Sequence, residues 1–156
     1  LLDFSVLVET VDLSRYGHLE FPGSDVWGAV MRRDHPLAEK ESIRPADLLG
    51  LPLICPRQGL QMELGQWFGP LVDRLDVVAT VNLVYNGGVL AQEGLGRMIT
   101  FRDQVHPGPD TPLCFRPLDP PLYSRLYLVW RKYQVFSPAA ERFLLQMKAA
   151  GAQDQA

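Results

Sequence analysis

Between residues 53 and 101 the sequence alternates short strand-like segments with longer helix-like ones, and this alternation limits the fold more than any other feature. Residues 60–71 repeat apolar side chains at helical spacing, and a second helix is predicted from the N-cap Asn82 to about Glu93. Three segments are rich in apolar and β-branched side chains, as buried strands are: residues 53–55, 77–81 and 97–101. The order β, α, β, α, β is typical of a parallel sheet covered by helices. We therefore predict an α/β fold whose ligand lies outside the carboxyl ends of the strands.

Further predicted elements flank this region. Ser137 is a suitable N-cap for a final helix, with Pro138 at its first position. A short helical turn is predicted at Pro45, with Gly50 in the left-handed conformation at its exit. The last residues, 151–156, are expected to fray. Additional strand-like segments lie at residues 4–9, 17–21, 25–32, 113–116 and 127–130.

Composition excludes several classes of protein. The formal net charge of -3 argues against a nucleic-acid-binding surface on this chain, because phosphate neutralisation needs a basic face. The apolar segments are shorter than the roughly 20 residues of a membrane span, and the N-terminus lacks the pattern of a signal peptide. Two cysteines provide no disulfide framework, so a reduced cytoplasmic location is expected. The chain starts without Met in a strand-like segment, and we interpret it as a piece of a longer protein.

The sequence offers little for catalysis or metal binding. His18, His35 and His106 are not paired with each other or with carboxylates at helical spacing, so no metal site is expected. There is no G-x-S-x-G elbow, P-loop or dinucleotide fingerprint. A small α/β enzyme would need a nucleophile, a base and an orienting group in one cleft, and no such trio is found. We predict no catalytic residue and no cofactor.

Two features at the predicted strand ends have alternative interpretations. Cys55 ends a strand near Arg57, whose charge could lower the thiol pKa for an oxidant-sensing role; alternatively, its small side chain lines the floor of a pocket. Arg57, Gln58 and Gly59 precede one helix, and Asn82 caps another. Their backbone N–H groups could hold an anion, or each set could cap its own helix.

Several segments, in this order, resemble the effector-binding domain of LysR-type transcriptional regulators, and together they cover nearly the whole chain. The last predicted helix, which begins at the sequence SPA at residues 137–139, also matches this family. The segments are DHPLA at residues 34–38, Ile43, Asp47-Leu48, LPLI at 51–54, VLAQEGLGRMIT at 89–100, LCFRPLDPPL at 113–122 and LYLVWRK at 126–132.

The resemblance implies a type 2 periplasmic-binding-protein-like fold, in which two α/β lobes are joined by crossing strands. Residues 1–33 would supply part of lobe I and a crossing strand, and residues 34–101 lobe II. Residues 102–150 would supply the return crossing and the C-terminal part of lobe I, followed by a tail at 151–156. Lobe I would be incomplete, and the N-terminal helix-turn-helix would lie upstream, outside this chain. His35 would be structural, because His-Pro ends a crossing strand in the family.

The resemblance also supplies candidate effector-binding positions. Relatives with anionic effectors can have a basic residue after the first strand, whereas this chain has Val8; Arg57 could compensate. To the transferred positions we add Asn82, the predicted helix cap that follows a strand, and Thr100, in the predicted strand at residues 97–101. The complete set is Leu7, Val8, Glu9, Cys55, Arg57, Gln58, Gln61, Asn82 and Thr100.

The predicted function is that of a ligand-sensing domain, not an enzyme. The expected partners are a small-molecule effector and further copies of the chain in a homodimer or homotetramer, with residues 60–71 as a candidate interface. DNA would be contacted only through the absent N-terminal domain, and no membrane is involved. The alternative is a solute-binding protein of a transporter with the same fold, which would have a signal peptide upstream.

Overall fold

Two compact units make up the chain. The computed structural model describes residues 2–8, 12–105 and 111–151, and the backbone of residues 153–154. Unit 1 consists of Leu1–Asp25 with Ser124–Ala156, and unit 2 of Val26–Tyr123. Among the described residues, no helix is long and apolar enough to cross a membrane.

The described residues contain ten strands and four α-helices, joined by short 3-10 helices. The strands are β1 (Ser5–Val8), β2 (Tyr16–Glu20), β3 (Asp25–Arg32), β4 (Pro52–Pro56), β5 (Asp76–Val81), β6 (Arg97–Phe101), β7 (Leu113–Pro117), β8 (Tyr123–Ser124), β9 (Leu126–Arg131) and β10 (Gln153–Asp154). The α-helices are α1 (Arg57–Gln61), α2 (Glu63–Phe68), α3 (Val84–Gln92) and α4 (Pro138–Ala149). The 3-10 helices are Leu13–Arg15, Pro36–Glu39, Pro45–Leu48, Gly69–Arg74 and Arg102–Gln104.

Unit 1 contains an antiparallel sheet in the order β1-β9-β2-β10. Leu19 and Leu128 form its buried centre, and Leu144 and Met147 of α4 pack against them. The predicted cap of α4 is confirmed, because Ser137 Oγ accepts a hydrogen bond from the Ala140 N–H at 3.2 Å. The expectation that residues 151–156 fray is wrong for Gln153–Asp154, because the backbone of this strand, β10, pairs with β2.

Unit 2 contains a mixed sheet in the order β5-β4-β6-β3-β7, with β8 beside β3. Strand β4 runs parallel to β5 and β6, as the alternating sequence predicts. Strand β3 is antiparallel to both β6 and β7, so the parallel arrangement is confined to three strands. The buried centre of this unit consists of Val30, Ile54, Ala91, Met98 and Leu113.

The segment after β3 is organised by local caps. His35 Nδ1 accepts a hydrogen bond from the Leu37 N–H at 3.2 Å and so caps the turn Pro36–Glu39. The predicted turn at Pro45 is present, with Leu48 buried beneath it. Gly50 has a φ of 71°, the left-handed conformation expected at the exit.

The predicted helix over residues 60–71 is interrupted. Met62 separates α1 from α2 with φ -123° and ψ -110°, far from helical values. At this bend the backbone of Gly65 approaches Leu60 so closely that a Cβ would lie 2.6 Å from the Leu60 carbonyl oxygen. Gly69 then ends α2 with a φ of 53°. Apolar periodicity alone did not reveal these two breaks, at Met62 and at Gly69.

The prediction that Asn82 caps α3 is also wrong. The N-cap is Leu83, which is extended and makes no side-chain cap hydrogen bond. Asn82 therefore lies one residue too early to bond to the first-turn amides, and its side chain is exposed.

Two glycines of unit 2 should respond to the same substitution with opposite signs. A Cβ at Gly28 in β3 would lie 2.5 Å from the Arg116 carbonyl oxygen and would also collide with the Phe115 ring. A Cβ on Gly88 in α3 would meet only Val105 methyl groups, at 3.8 and 3.9 Å. We expect Gly28→Ala to destabilise the chain by about 1–3 kcal/mol through overpacking. We expect Gly88→Ala to stabilise it by about 0.5–1 kcal/mol through helix propensity.

Denaturant unfolding followed by circular dichroism measures both free energies, and each variant is the matched control for the other. Equal destabilisation by the two substitutions would contradict the packing described at Gly88.

Candidate functional site

The structure brings six predicted effector-binding residues to one edge of the unit 2 sheet. Cys55 pairs with Thr80 and Pro56 with Val81, so the ends of β4 and β5 are neighbours. Leu53 pairs with Arg97 in the parallel pair of β4 and β6, which places the end of β6 at the same edge. The residues gathered at these carboxyl ends are Cys55, Arg57, Gln58, Gln61, Asn82 and Thr100.

These six residues divide into a polar surface and a buried interior. The side chains of Arg57, Gln58, Gln61 and Asn82 are exposed, whereas Cys55 is 0% and Thr100 3% exposed. Thr100 Oγ1 donates to Gln104 Oε1 at 3.4 Å. The exposed groups can therefore meet a ligand directly, while Cys55 and Thr100 contribute mainly through their backbone and their packing.

Two aromatic residues that sequence reasoning did not select lie at this edge. The rings of Trp27 and Phe101 pack with centroids 4.2 Å apart, and both side chains are buried. Gly59 of α1 lies against the Trp27 ring, since a Cβ there would be 2.9 Å from Trp27 Cη2. Through Trp27, the ring pair joins α1 to the start of β3 and the end of β6. In the sequence, the only indication of this pair was that each aromatic residue lies near one end of a predicted strand.

The predicted positions of unit 1 occupy the end of β1. Leu7 and Val8 are half-buried and pair with Tyr127 and Leu126 of β9. Glu9 lies outside the described residues.

The environment of Cys55 does not favour thiol chemistry. Burial raises the pKa of the Cys55 thiol to about 12, and no lowering by the nearby Arg57 offsets this rise. Arg57 is exposed in α1, while Cys55 points into the sheet interior. Cys114 is also buried, and burial raises its pKa. Both thiols therefore remain protonated at neutral pH.

Arg57 is a better candidate for ligand contact. Among the described residues, none forms an ion pair or side-chain hydrogen bond with it. The predicted anion site formed by two helix N-termini is less well supported, because α1 has five residues and Asn82 does not cap α3. The guanidinium of Arg57, rather than backbone amides, is therefore the source of positive charge in α1.

Three cavities in the described part of the chain lie away from the predicted residues. Unit 1 has a cavity of about 500 Å³ bordered by Phe4, Val6 and Phe143. Unit 2 has one of about 360 Å³ beside Tyr85 and Val105, and another of about 350 Å³. None is lined by any of the eight predicted residues that the structure describes. The 350 Å³ cavity contains His35 and Arg97, a pair that sequence reasoning did not connect.

Metal-ligating side chains are scattered through the fold. In the described ranges, no group of three or more His, Cys, Asp or Glu side chains could hold a metal ion. The carboxyl edge of β4, β5 and β6 places exposed amide and guanidinium groups near the buried Trp27–Phe101 pair.

Solved structures with the same fold include several regulatory domains. The Synechocystis PCC6803 CcmR regulatory domain in complex with 2-PG has 20% sequence identity and a TM-score of 0.77, with 94% of this chain and 72% of that chain covered. The effector-binding domain of QuiR in complex with shikimate has 18% identity and a TM-score of 0.80, with 96% and 71% covered. HinK, a LysR family transcriptional regulator from Pseudomonas aeruginosa, has 17% identity and a TM-score of 0.74, with 94% and 53% covered.

Sequence comparison identifies the family. Comparison with curated protein sequences gives no match. The family model of the LysR substrate binding domain matches residues 2–152. This match and the structural similarities confirm the expected type 2 periplasmic-binding-protein-like α/β fold. The chain belongs to the LysR substrate binding domain family.

Proposed function

We propose that this chain is the effector-binding domain of a LysR-type transcriptional regulator. It binds a small cytoplasmic molecule and thereby alters DNA binding by an N-terminal helix-turn-helix domain of the full-length protein. The observation that carries the proposal is the family match across residues 2–152. The HinK regulator is consistent with a longer protein, since this chain covers only 53% of it.

The proposed effector site uses the carboxyl edge of unit 2, where Arg57 and Gln58 are exposed beside the packed Trp27–Phe101 pair. Ligands of α/β sheets bind at this end of the strands because loops and helix starts converge there. Arg57 supplies the positive charge and Gln58, Gln61 and Asn82 supply amide hydrogen-bonding groups. Cys55 and Thr100 would lie beneath the ligand, and Leu7, Val8 and Glu9 of unit 1 remain predicted effector-binding positions.

Signal transfer requires that the effector bind one arrangement of the regulator more tightly than another. We propose that these arrangements belong to a homodimer or homotetramer. In the candidate interface at residues 60–71, the apolar residues Leu64 and Phe68 are buried inside unit 2 and are not available to a partner. A partner at this surface would therefore meet polar side chains such as Gln61 and Gln66.

The alternative, a solute-binding protein of a transporter, has the same fold but a different upstream sequence. A helix-turn-helix upstream is expected for the regulator, and a signal peptide for the solute binder. The match to the LysR family favours the regulator.

DNA binding by the full-length protein, expressed from its native start codon, tests the proposed function. We expect specific binding to the intergenic DNA upstream of its own gene, measured by fluorescence anisotropy against scrambled DNA at the same salt concentration. Addition of a protein-free metabolite extract should change the affinity by about 5- to 150-fold, the usual range of allosteric coupling. Absence of specific binding at low salt would contradict the regulator and favour the solute-binding alternative.

Substitution of Arg57 tests the position of the effector site. In the same assay, Arg57→Gln should keep DNA binding and lose most of the response to the extract, because the exposed charge is removed without disturbing the core. Arg74→Gln is the matched control, since Arg74 is also an exposed arginine of unit 2. An undiminished response in Arg57→Gln would place the effector elsewhere.

The reactivity of the Cys55 thiol distinguishes its packing role from the oxidant-sensing alternative. With a pKa of about 12, about one Cys55 in ten thousand is ionised at pH 8, so reaction with a thiol reagent should be negligible in the folded chain. Both cysteines should react fully in denaturant. Mass spectrometry of labelled peptides distinguishes Cys55 from Cys114. Rapid native labelling of Cys55, accompanied by altered DNA binding, would restore the oxidant-sensing interpretation.

A further inference from the structure

The 350 Å³ cavity of unit 2 lies at the opposite edge of the sheet from the proposed effector site. Its lining includes His35, Arg97, Arg32 and Asp34. Arg97 is the first residue of β6, and Leu53 at the start of the parallel strand β4 lies beside it. Thr100, at the effector edge, is three residues further along β6, or about 10 Å at the rise of a strand. The cavity is thus a separate location in the same unit.

The hydrogen bonds around His35 cannot all be satisfied by protein groups. Nδ1 of His35 faces the Leu37 N–H at 3.2 Å, and Nε2 faces the Arg97 Nε–H at 3.1 Å. Nη2 of Arg97 is also in close contact with His35 Nε2. A neutral imidazole has one acceptor nitrogen and one N–H donor, whereas both of these ring nitrogens face donors. When Nδ1 accepts the cap hydrogen bond, the Nε2–H faces the Arg97 guanidinium with no acceptor between them. When Nε2 accepts from Arg97 instead, the Nδ1–H faces the Leu37 N–H.

In either tautomer of His35, Arg97 also has N–H groups without a hydrogen-bond acceptor among the described residues. A guanidinium carries five N–H groups, and two of them point at His35, which leaves three. Among the residues that the structure describes, no further side-chain or backbone acceptor bonds to Arg97. The side chain is only half-buried, so these donors are within reach of a molecule in the cavity.

The positive charge of Arg97 is likewise not neutralised. The nearest carboxylate of the cavity belongs to Asp34, and Arg32 binds it in a bidentate manner at 2.5 and 3.0 Å. Arg32 also donates to the Gln92 carbonyl at 3.5 Å, at the end of α3. No carboxylate of the described residues lies within ion-pairing distance of Arg97. The formal charges of Arg32, Asp34 and Arg97 leave one positive charge at the cavity.

The pKa shifts of both groups are due mainly to burial. The pKa of His35 is lowered by burial and, secondarily, by the charge of Arg97, while Asp34 opposes the shift. Burial also lowers the pKa of Arg97. A bound anion would offset the cost of placing these groups together.

We propose that this cavity is a binding site for a small oxyanion, held by the N–H groups of Arg97 that do not face His35. A phosphate or carboxylate group has the required chemistry, because its oxygens can accept charge-assisted hydrogen bonds from the guanidinium of Arg97. The cavity volume suits a small ligand. The site is independent of the proposed effector edge.

Thermal unfolding of the 156-residue chain in sodium chloride, sodium phosphate or sodium acetate at equal ionic strength tests the proposal. Bound anion stabilises the folded state by mass action, so the unfolding temperature should rise with phosphate, acetate or both relative to chloride. A response to phosphate alone identifies a phosphoryl site, and a response to acetate alone a carboxylate site. No rise with either anion would overturn the proposal.

Arg97→Gln should weaken the anion response by about tenfold or more, since charge-assisted hydrogen bonds are lost. The response of this variant is measured relative to its own unfolding temperature in chloride, because the substitution also removes the contact with His35. Arg74→Gln, the exposed-arginine control, should respond to the anion like the unsubstituted chain. Equal responses of Arg97→Gln and the unsubstituted chain would overturn the proposal.

A second measurement reports binding without unfolding. The ¹⁵N resonances of the His35 ring should shift and saturate during a phosphate or acetate titration, whereas those of His18 should not. His18 belongs to β2 in unit 1 and is outside the cavity. An unchanged His35 signal would contradict binding at Arg97, which His35 contacts. The DNA-binding response to metabolite extract is measured separately, so failure of either proposal leaves the other testable.

Discussion

Strand β3 is the element on which the architecture of unit 2 depends, because it forms antiparallel ladders with β6 on one side and β7 on the other. Ala29, Val30 and Met31 are almost fully buried in it. Gly28 allows the Phe115 ring of β7 to pack directly over the strand. Through β6, β3 also fixes β4 and β5, which are parallel to β6 and have no direct pairing with β3. A change in β3 would therefore alter the positions of both edges of the sheet.

The two ends of this sheet have different chemistry. At the carboxyl edge, exposed Arg57 and Gln58 lie beside a buried aromatic pair, which favours an organic ligand with a polar group. At the amino edge, Arg97 and His35 form a cavity with excess donors and one uncompensated charge, which favours a small anion. Strand β6 contributes to both edges, since Arg97 begins it and Thr100 lies near its end. Rigid strands can thus hold two unrelated sites at a fixed separation.

Much of the local structure was predictable from short sequence patterns. Strand β3 has the predicted bounds, and the Ser137-Pro138 start of α4 is present because capping depends on residues a few positions apart. The helix over residues 60–71 was only partly correct, since periodicity shows which side chains face the core but not where a glycine lets the backbone bend. Asn is a residue type preferred at N-caps, but here Leu83 is extended and is itself the N-cap of α3. Asn82 is therefore one residue too far from the first-turn amides.

Sequence patterns were sufficient to predict the α/β class, the order of most elements, the likeness to the LysR family and the strand ends at which the candidate ligand-contacting residues lie. Each of these follows from local propensities or from an ordered set of motifs. The burial of the Cys55 thiol and the contact between Arg97 and His35, 62 residues apart in the chain, became evident only in the folded structure. Burial and uncompensated charge result from non-local packing, which brings residues together irrespective of their spacing in sequence.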